Sequence, residues 1–379
     1  MTRIGFFEPA WTAQRREFWE LRGNHKYPDL LGRLCDEAEV TLLMPALPPE
    51  DDPYRTRLEE QHGVLFQRIE TLDESGDGAV DDLTDDYVRE IRTHDIDIVS
   101  TLNGRPIGHN HALARAAGMT GADFVYRVAG DDLAINAAVS QERDEPFEGT
   151  SRWATRVAQE RHAFAAARTI VAMSNSDAAR IAAAMSDPAK IEICHRGVDQ
   201  AHFAPAEPAP KTCRNLLFLG RNRAEKGVDI VEAAADLLAE THPGIRITLA
   251  GEFEPGERGN RLYRRFTPYA KLPDLYRAHD ALLLPSRSEG YPTVVIEAMS
   301  CGLPVIVSRH LLGNDLSEET GAKLVSTDPA DVADAVRGMA DDAARFRQLQ
   351  AAALAHARAE FEQEANRKRF HDALLGQTA

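Results

Sequence analysis

The sequence predicts an α/β fold of two domains, each built on a parallel sheet, and three observations carry that expectation. Residues 281–284 and 304–307 are short and continuously apolar, the pattern of strands covered on both faces. Between them lie a loop and a helix, with Pro292 suited to the first helical position and Gly302 just past the helix end. At 379 residues the chain exceeds one ordinary core. Residues 203–214 hold Pro205, Pro208 and Pro210 with little apolar periodicity, and read as a linker between the two halves.

Composition narrows the function classes. A formal net charge of −16 leaves no basic excess to neutralise a nucleic-acid backbone, so nucleic acid is not expected as a partner. Cys35, Cys194, Cys213 and Cys301 are scattered without metal-ligand spacing and read as buried thiols of a reducing compartment. No run of 18 apolar residues occurs, and the chain starts directly with a strand at residues 4–7. A cytoplasmic protein without signal peptide or membrane span is the expectation.

The first strand runs into a basic, aromatic segment at residues 11–26 that includes Trp11, Arg15, Arg16, Trp19, Arg22 and Lys26. In so acidic a chain this island suits an anionic lipid surface at the inner membrane face or a phosphorylated acceptor. A solvated helix with Phe18 and Trp19 turned inward is the competing reading. Residues 27–37 look helical and 40–44 like a strand, followed by a Pro-rich acidic loop. The pairs Asp81-Asp82 and Asp85-Asp86 fit a solvated helix start, and Asp95 and Asp97 the polar entry to a strand at 98–102. No further ligands accompany them, and no metal site is expected. Residues 103–111 read as a loop at a strand's carboxyl end, where ligand crevices form. Its His109 and His111 are acceptor-site candidates, with His111 alternatively opening a helix over 111–117. A strand at 124–128 leads to Ala129, Gly130, Asp131 and Asp132, with Asp131 a further acceptor candidate or a helix cap. An amphipathic helix over 151–168 precedes a strand at 169–173 and the run Ser174-Asn175-Ser176.

After the linker a strand over 215–220, NLLFLG, is followed by Arg221, Arg223, Glu225, Lys226 and Gly227. Two cations near a strand end suit a leaving group that gains negative charge. Residues 245–250 form the next buried strand, and residues 252–271 are charged. Then comes the 281–308 crossover, whose geometry aims a helix N-terminus, with unpaired N–H groups and partial positive charge, at the strand-end crevice. The natural guest is phosphate. Glu289 and Glu297 frame that positive end; carboxylates do not bind phosphate, but they accept from sugar or ribose hydroxyls. Phosphate with polyol points to a nucleotide sugar. A strand at 322–325 and helices over 329–339, 341–361 and 366–375 complete the chain.

The runs Glu289-Gly290-Tyr291-Pro292 and EAMSCGLPVI over 297–306 resemble the E-x7-E signature of the retaining glycosyltransferases of family 4, with the two-domain GT-B fold. The run HRGVD at 195–199, with Phe203 and Pro205, is similar to the family's NGVD-x3-F-x-P element, with Arg196 where Asn is usual. The resemblance implies two Rossmann-like domains facing across a cleft. It implies an N-terminal acceptor domain (1–204), a linker (205–214), a donor domain (215–361), and a last helix (362–379) packing back on the first domain. Further, it implies Arg221 and Lys226 on the donor diphosphate, Gly220, Gly290, Tyr291, Pro292 and Thr293 as the donor cradle, Glu289 on the sugar and Glu297 on the ribose. The activity implied is metal-independent transfer of a hexosyl unit, with no cofactor, from a UDP- or GDP-linked sugar to a glycan, lipid-linked or small-molecule hydroxyl. The chain departs from the pattern at two further places. Glu8-Pro9-Ala10 stands where relatives carry a glycine pair, and Ala129 where a His is usual. Those departures suggest, as alternatives, a catalytically silent nucleotide-sugar binder or an enzyme that rearranges the nucleotide sugar.

Overall fold

The structure is a computed structural model that describes residues 1–7, 31, 34–44, 47, 53–68, 80–102, 107–128, 133, 148–207, 209–289 and 291–377. These residues form two α/β units, and each is organised on a seven-stranded sheet. The first unit comprises residues 1–173, 177–194 and 367–379; the second comprises 174–176 and 195–366.

The first sheet contains β1 (Thr2–Phe7), β2 (Ala38–Met44), β3 (Leu65–Arg68), β4 (Ile98–Ser100), β5 (Asp123–Arg127), β6 (Thr169–Ala172) and β7 (Ile191–Ile193) in the order β3-β2-β1-β4-β5-β6-β7. All neighbours are parallel. The inner strands are continuously buried, as in IVS of β4, because helices cover both faces. One apolar layer packs Phe7, Tyr87, Leu113, Phe124 and Phe164 together. The other gathers Ile4, Phe6, Val40, Leu42 and Val125 with Phe370, Ala373 and Leu374 from the helix Gln363–Leu375. Strand order reverses between β1 and β4, which lie side by side with Phe6 opposite Ser100. The loops that follow these two strands therefore start at one place in the sheet.

The second sheet contains β8 (Asn215–Gly220), β9 (Arg246–Gly251), β10 (Gly256–Arg258), β11 (Arg261–Arg265), β12 (Ala281–Leu284), β13 (Val305–Ser308) and β14 (Ala322–Val325), ordered β10-β11-β9-β8-β12-β13-β14. It is parallel except for β10, which runs antiparallel to β11. This hairpin lies in the charged segment 252–271, where no strand was expected, and β10 is exposed throughout, so it has no apolar run to betray it. Here too the order reverses, between β8 and β12.

Several expectations shift. Of the helix expected over 27–37, Leu31 is helical and Leu34–Asp36 form a 3₁₀ turn. The segment 103–111 is not all loop: a helix opens at Ile107 and runs to Thr120, carrying both histidines. Residues 195–204 group with the second unit rather than the first. The reason is local: Val198 N donates to Phe361 O at 2.9 Å, and Phe203 is buried against Tyr276. Among the described residues no helix is long and apolar enough to cross a membrane.

Candidate functional site

In the second unit the loops after β8 and β12, the two strands flanking the order reversal, carry the charges. In sheets of this kind ligands sit outside the strand ends at that reversal. Beyond Gly220 the chain forms a 3₁₀ turn, Ala224–Lys226, closed by Gly227 at φ 72°. A Cβ on Gly227 would stand 2.3 Å from the Pro285 carbonyl oxygen, so only glycine lets the first loop lie against the second. The backbone laces them together: Arg287 N and Ser288 N donate to the Glu225 carbonyl at 2.8 and 3.3 Å. The Arg287 guanidinium also donates to the Ala224 carbonyl and makes two 2.7 Å bonds to the Asp229 carboxylate. Those bonds hold the Asp229 carboxyl below, and the Arg287 guanidinium above, their ordinary values.

Within this frame Lys226 Nζ donates to Glu289 Oε1 at 2.7 Å, and Ser286 Oγ donates to the same oxygen at 3.1 Å. The two charged side chains are only 16% and 12% exposed. Arg221 is more open, with its guanidinium 3.5 Å from Glu225 Oε1. This pairing of Lys226 with Glu289 was absent from the sequence reading, which assigned the two to different parts of a ligand. Ser286, fully buried and itself held through its carbonyl by Ser308 Oγ at 2.6 Å, was missed as well.

The helix Thr293–Ser300 opens beside them. Pro292 is its N-cap in extended geometry rather than its first helical residue, and no side chain among the described residues caps that end. A helix start without a cap leaves backbone donors for an external acceptor. Gly302, at φ 79°, ends the helix. Glu297, on this helix, is 4% exposed and accepts from the Tyr276 hydroxyl at 2.8 Å. Tyr291 is likewise 4% exposed, its ring packed on His195 and Phe361. Its hydroxyl has no hydrogen-bond partner among the described residues, and burial pushes its pKa well above the ordinary value. The second unit thus places Gly220, Arg221 and Lys226 at and after the end of β8 and Glu289, Tyr291, Pro292 and Thr293 after β12, with Lys226 and Glu289 in contact and Glu297 on the helix that follows, while Gly290 lies outside the described residues.

The acceptor candidates fare differently. Trp11, Arg15 and Asp131 lie outside the described residues. His109 is 2% exposed and its Nδ1 is 2.8 Å from the Tyr87 hydroxyl. Helical phase turns it into the core, so it is a satisfied interior histidine rather than a surface contact. His111, on the same helix, packs edge-on to His162 at 4.6 Å. At the end of β5, Arg127 donates to the Leu102 carbonyl and lies over the Phe370 ring at 5.0 Å. Among the described residues no group of three or more His, Cys, Asp or Glu is placed to hold a metal ion.

A family model described as "Glycosyl transferases group 1" matches residues 213–342, which span both charged loops and the helix between β12 and β13. This unit carries the group 1 glycosyl transferase domain. The chain is 30% identical over 243 residues to D-inositol 3-phosphate glycosyltransferase 1 of Catenulispora acidiphila, covering 56% of this chain and 58% of that protein. It is 35% identical over 170 residues to the glycogen synthase of Mycobacterium tuberculosis, covering 41% of each. The chain thus spans about half the length of the curated relatives it matches. Among solved structures, sucrose-phosphate synthase of Thermosynechococcus elongatus superposes with a TM-score of 0.72 at 17% identity over 100% of both chains. Anabaena HepE, in complex with UDP and glucose, gives 0.69 at 18% identity over 99% of this chain and 100% of that one. These likenesses show the fold, GT-B, in both α/β units.

Proposed function

We propose that the protein transfers a hexosyl unit, with retention of configuration and without a divalent metal, from a UDP- or GDP-linked sugar to a hydroxyl of a glycan, lipid-linked or small-molecule acceptor. The observation that carries this reading is the meeting of Lys226 and Glu289, at 2.7 Å, beside a helix start that no side chain among the described residues caps. As the glycosidic bond breaks, charge builds on the departing nucleoside diphosphate. Lys226, Arg221 and the helix N–H groups stabilise that charge more in the transition state than in the bound donor. Glu289 accepts from hydroxyls of the sugar while its ion pair keeps it in place, and Glu297 accepts from the ribose. A diphosphate oxygen takes the acceptor's proton, consistent with retention and with the lack of any other assigned general base. The acceptor enters at the first unit, from the loops that begin after β1 and β4. The segment 11–26 follows β1, and contact of that segment with an anionic surface is read by co-sedimentation with anionic against neutral liposomes.

The test is a thermal-shift panel of UDP, GDP, ADP and TDP sugars, followed by transfer assays with and without EDTA. Selective stabilisation by one nucleotide sugar and EDTA-resistant turnover are expected. Glu289→Ala should lower turnover by at least about 100-fold if it orients the reacting sugar. Tight binding with no turnover on any acceptor would replace the transferase by a silent nucleotide-sugar binder.

A further inference from the structure

Glu297 is a carboxylate almost wholly removed from water, and burying such a group costs stability unless a donor compensates the lost solvation. One compensating donor is Tyr276, whose hydroxyl meets Glu297 Oε2 at 2.8 Å. Tyr276 is fully buried, on the helix Leu272–Arg277 that leads into β12. Its ring is fixed edge-on by Phe203, 5.9 Å away, and Phe203 packs on Tyr269 at 5.5 Å. The hydroxyl therefore cannot swing to another partner without moving an aromatic cluster. Burial and the neighbouring Glu297 charge push the phenol's pKa well above its ordinary value, so it stays a donor at any working pH.

We infer that Tyr276 is a positioning residue for nucleotide recognition: it holds one oxygen of Glu297 by a fixed hydrogen bond, so that the carboxylate is aimed to accept from the ribose hydroxyls of the donor. The two residues are 21 apart in sequence and come from the two helices that flank β12, so the chain sets the angle of the carboxylate by folding rather than by ligand contact. Tyr276 itself reaches no ligand, being 0% exposed. This inference rests on the proposed role of Glu297 toward the ribose, and the experiment separates the two.

The affinities of UDP, GDP and their 2′,3′-dideoxy counterparts are measured for the wild-type protein, Tyr276→Phe and Glu297→Gln by calorimetry. A hydrogen bond to a charged group implies a wild-type preference for the ribose form of the bound base of about tenfold or more. Tyr276→Phe keeps the ring and removes only the oxygen; it should cut that preference to about threefold or less, with the dideoxy affinity nearly unchanged. Because the readout is a ratio, a loss of folded fraction cancels, and a merely structural role would leave it untouched. If Glu297→Gln abolishes the preference while Tyr276→Phe keeps it, the positioning role is overturned and the ribose contact stands. If the wild type shows no preference, or Glu297→Gln retains it, the ribose contact falls and the inference with it. If no nucleoside diphosphate binds, the proposed function itself fails.

Discussion

Replacing Lys226 by Met keeps most of the stem and removes the charge, and the structure sets the size of both consequences. At 2.7 Å the pair Lys226–Glu289 has a gross attraction of about 6 kcal/mol at an effective dielectric of about 20. Desolvation of two groups that are mostly buried offsets most of this, and about 1–2 kcal/mol of net stability is the reasonable remainder. In a domain of this size that lowers the melting temperature by about 3–6 °C. The effect on catalysis is larger. A fixed cation beside a departing diphosphate resembles one donor of an oxyanion site, whose removal costs about 10²–10³-fold in turnover. The assay pairs thermal unfolding with transfer rates at saturating donor, and adds Glu289→Gln alone and combined with Lys226→Met. In the double-mutant cycle the two stability effects should be non-additive by about 1–2 kcal/mol. Turnover within threefold of wild type in a fully folded Lys226→Met protein would refute the assignment of this lysine to the leaving group.

Three further outcomes are expected. Gly227→Ala would set a Cβ 2.3 Å from the Pro285 carbonyl oxygen at a φ of +72°, so about 3 kcal/mol or more of stability should be lost in denaturant melts, together with donor affinity. His279, buried between the Leu275 carbonyl and the Thr248 hydroxyl, has its pKa lowered by burial. The unfolded chain then binds more protons, so stability should be complete above about pH 6.5 and decline as pH falls through that value, with His279→Gln flattening the decline between pH 7.5 and 5.5. Burial pushes Cys35 to about 11 and Cys194 and Cys301 each to about 12, so at pH 8 only about one thiol in a thousand or fewer is ionised. The native protein should label with a disulfide reagent at least 100-fold slower than free cysteine, and faster as pH rises towards 11.

The strands around the second sheet's reversal were legible because burial on both faces leaves unbroken apolar runs, as in Ala281–Leu284, and Pro292 and Gly302 punctuate the helix that follows. Strands without that cover were not: Leu65–Arg68 and Ile191–Ile193 have no fully buried residue, and Gly256–Arg258 is exposed. His109 was misplaced because the helix begins at Ile107, a shift that turns a loop residue into a core residue. The types of the site residues were readable, but their pairings were not. Lys226 and Glu289 are 63 positions apart, and only the sheet's crossing brings them into contact. The hydroxyls of Ser286 and Tyr276 carry no motif of their own, so their grip on the two glutamates could not be foreseen.

The first unit's inner layer is closed by Phe370, Ala373 and Leu374, yet these are translated long after the strands they cover. At about 5–20 residues per second, the roughly 170 intervening residues take on the order of 10–30 s to emerge. During that interval Ile4, Phe6, Val40 and Leu42 lack the cover that these three side chains give them. A nonsense mutation near codon 365 would then act on the half of the protein farthest from it in sequence, leaving the second sheet intact but the polypeptide prone to aggregate.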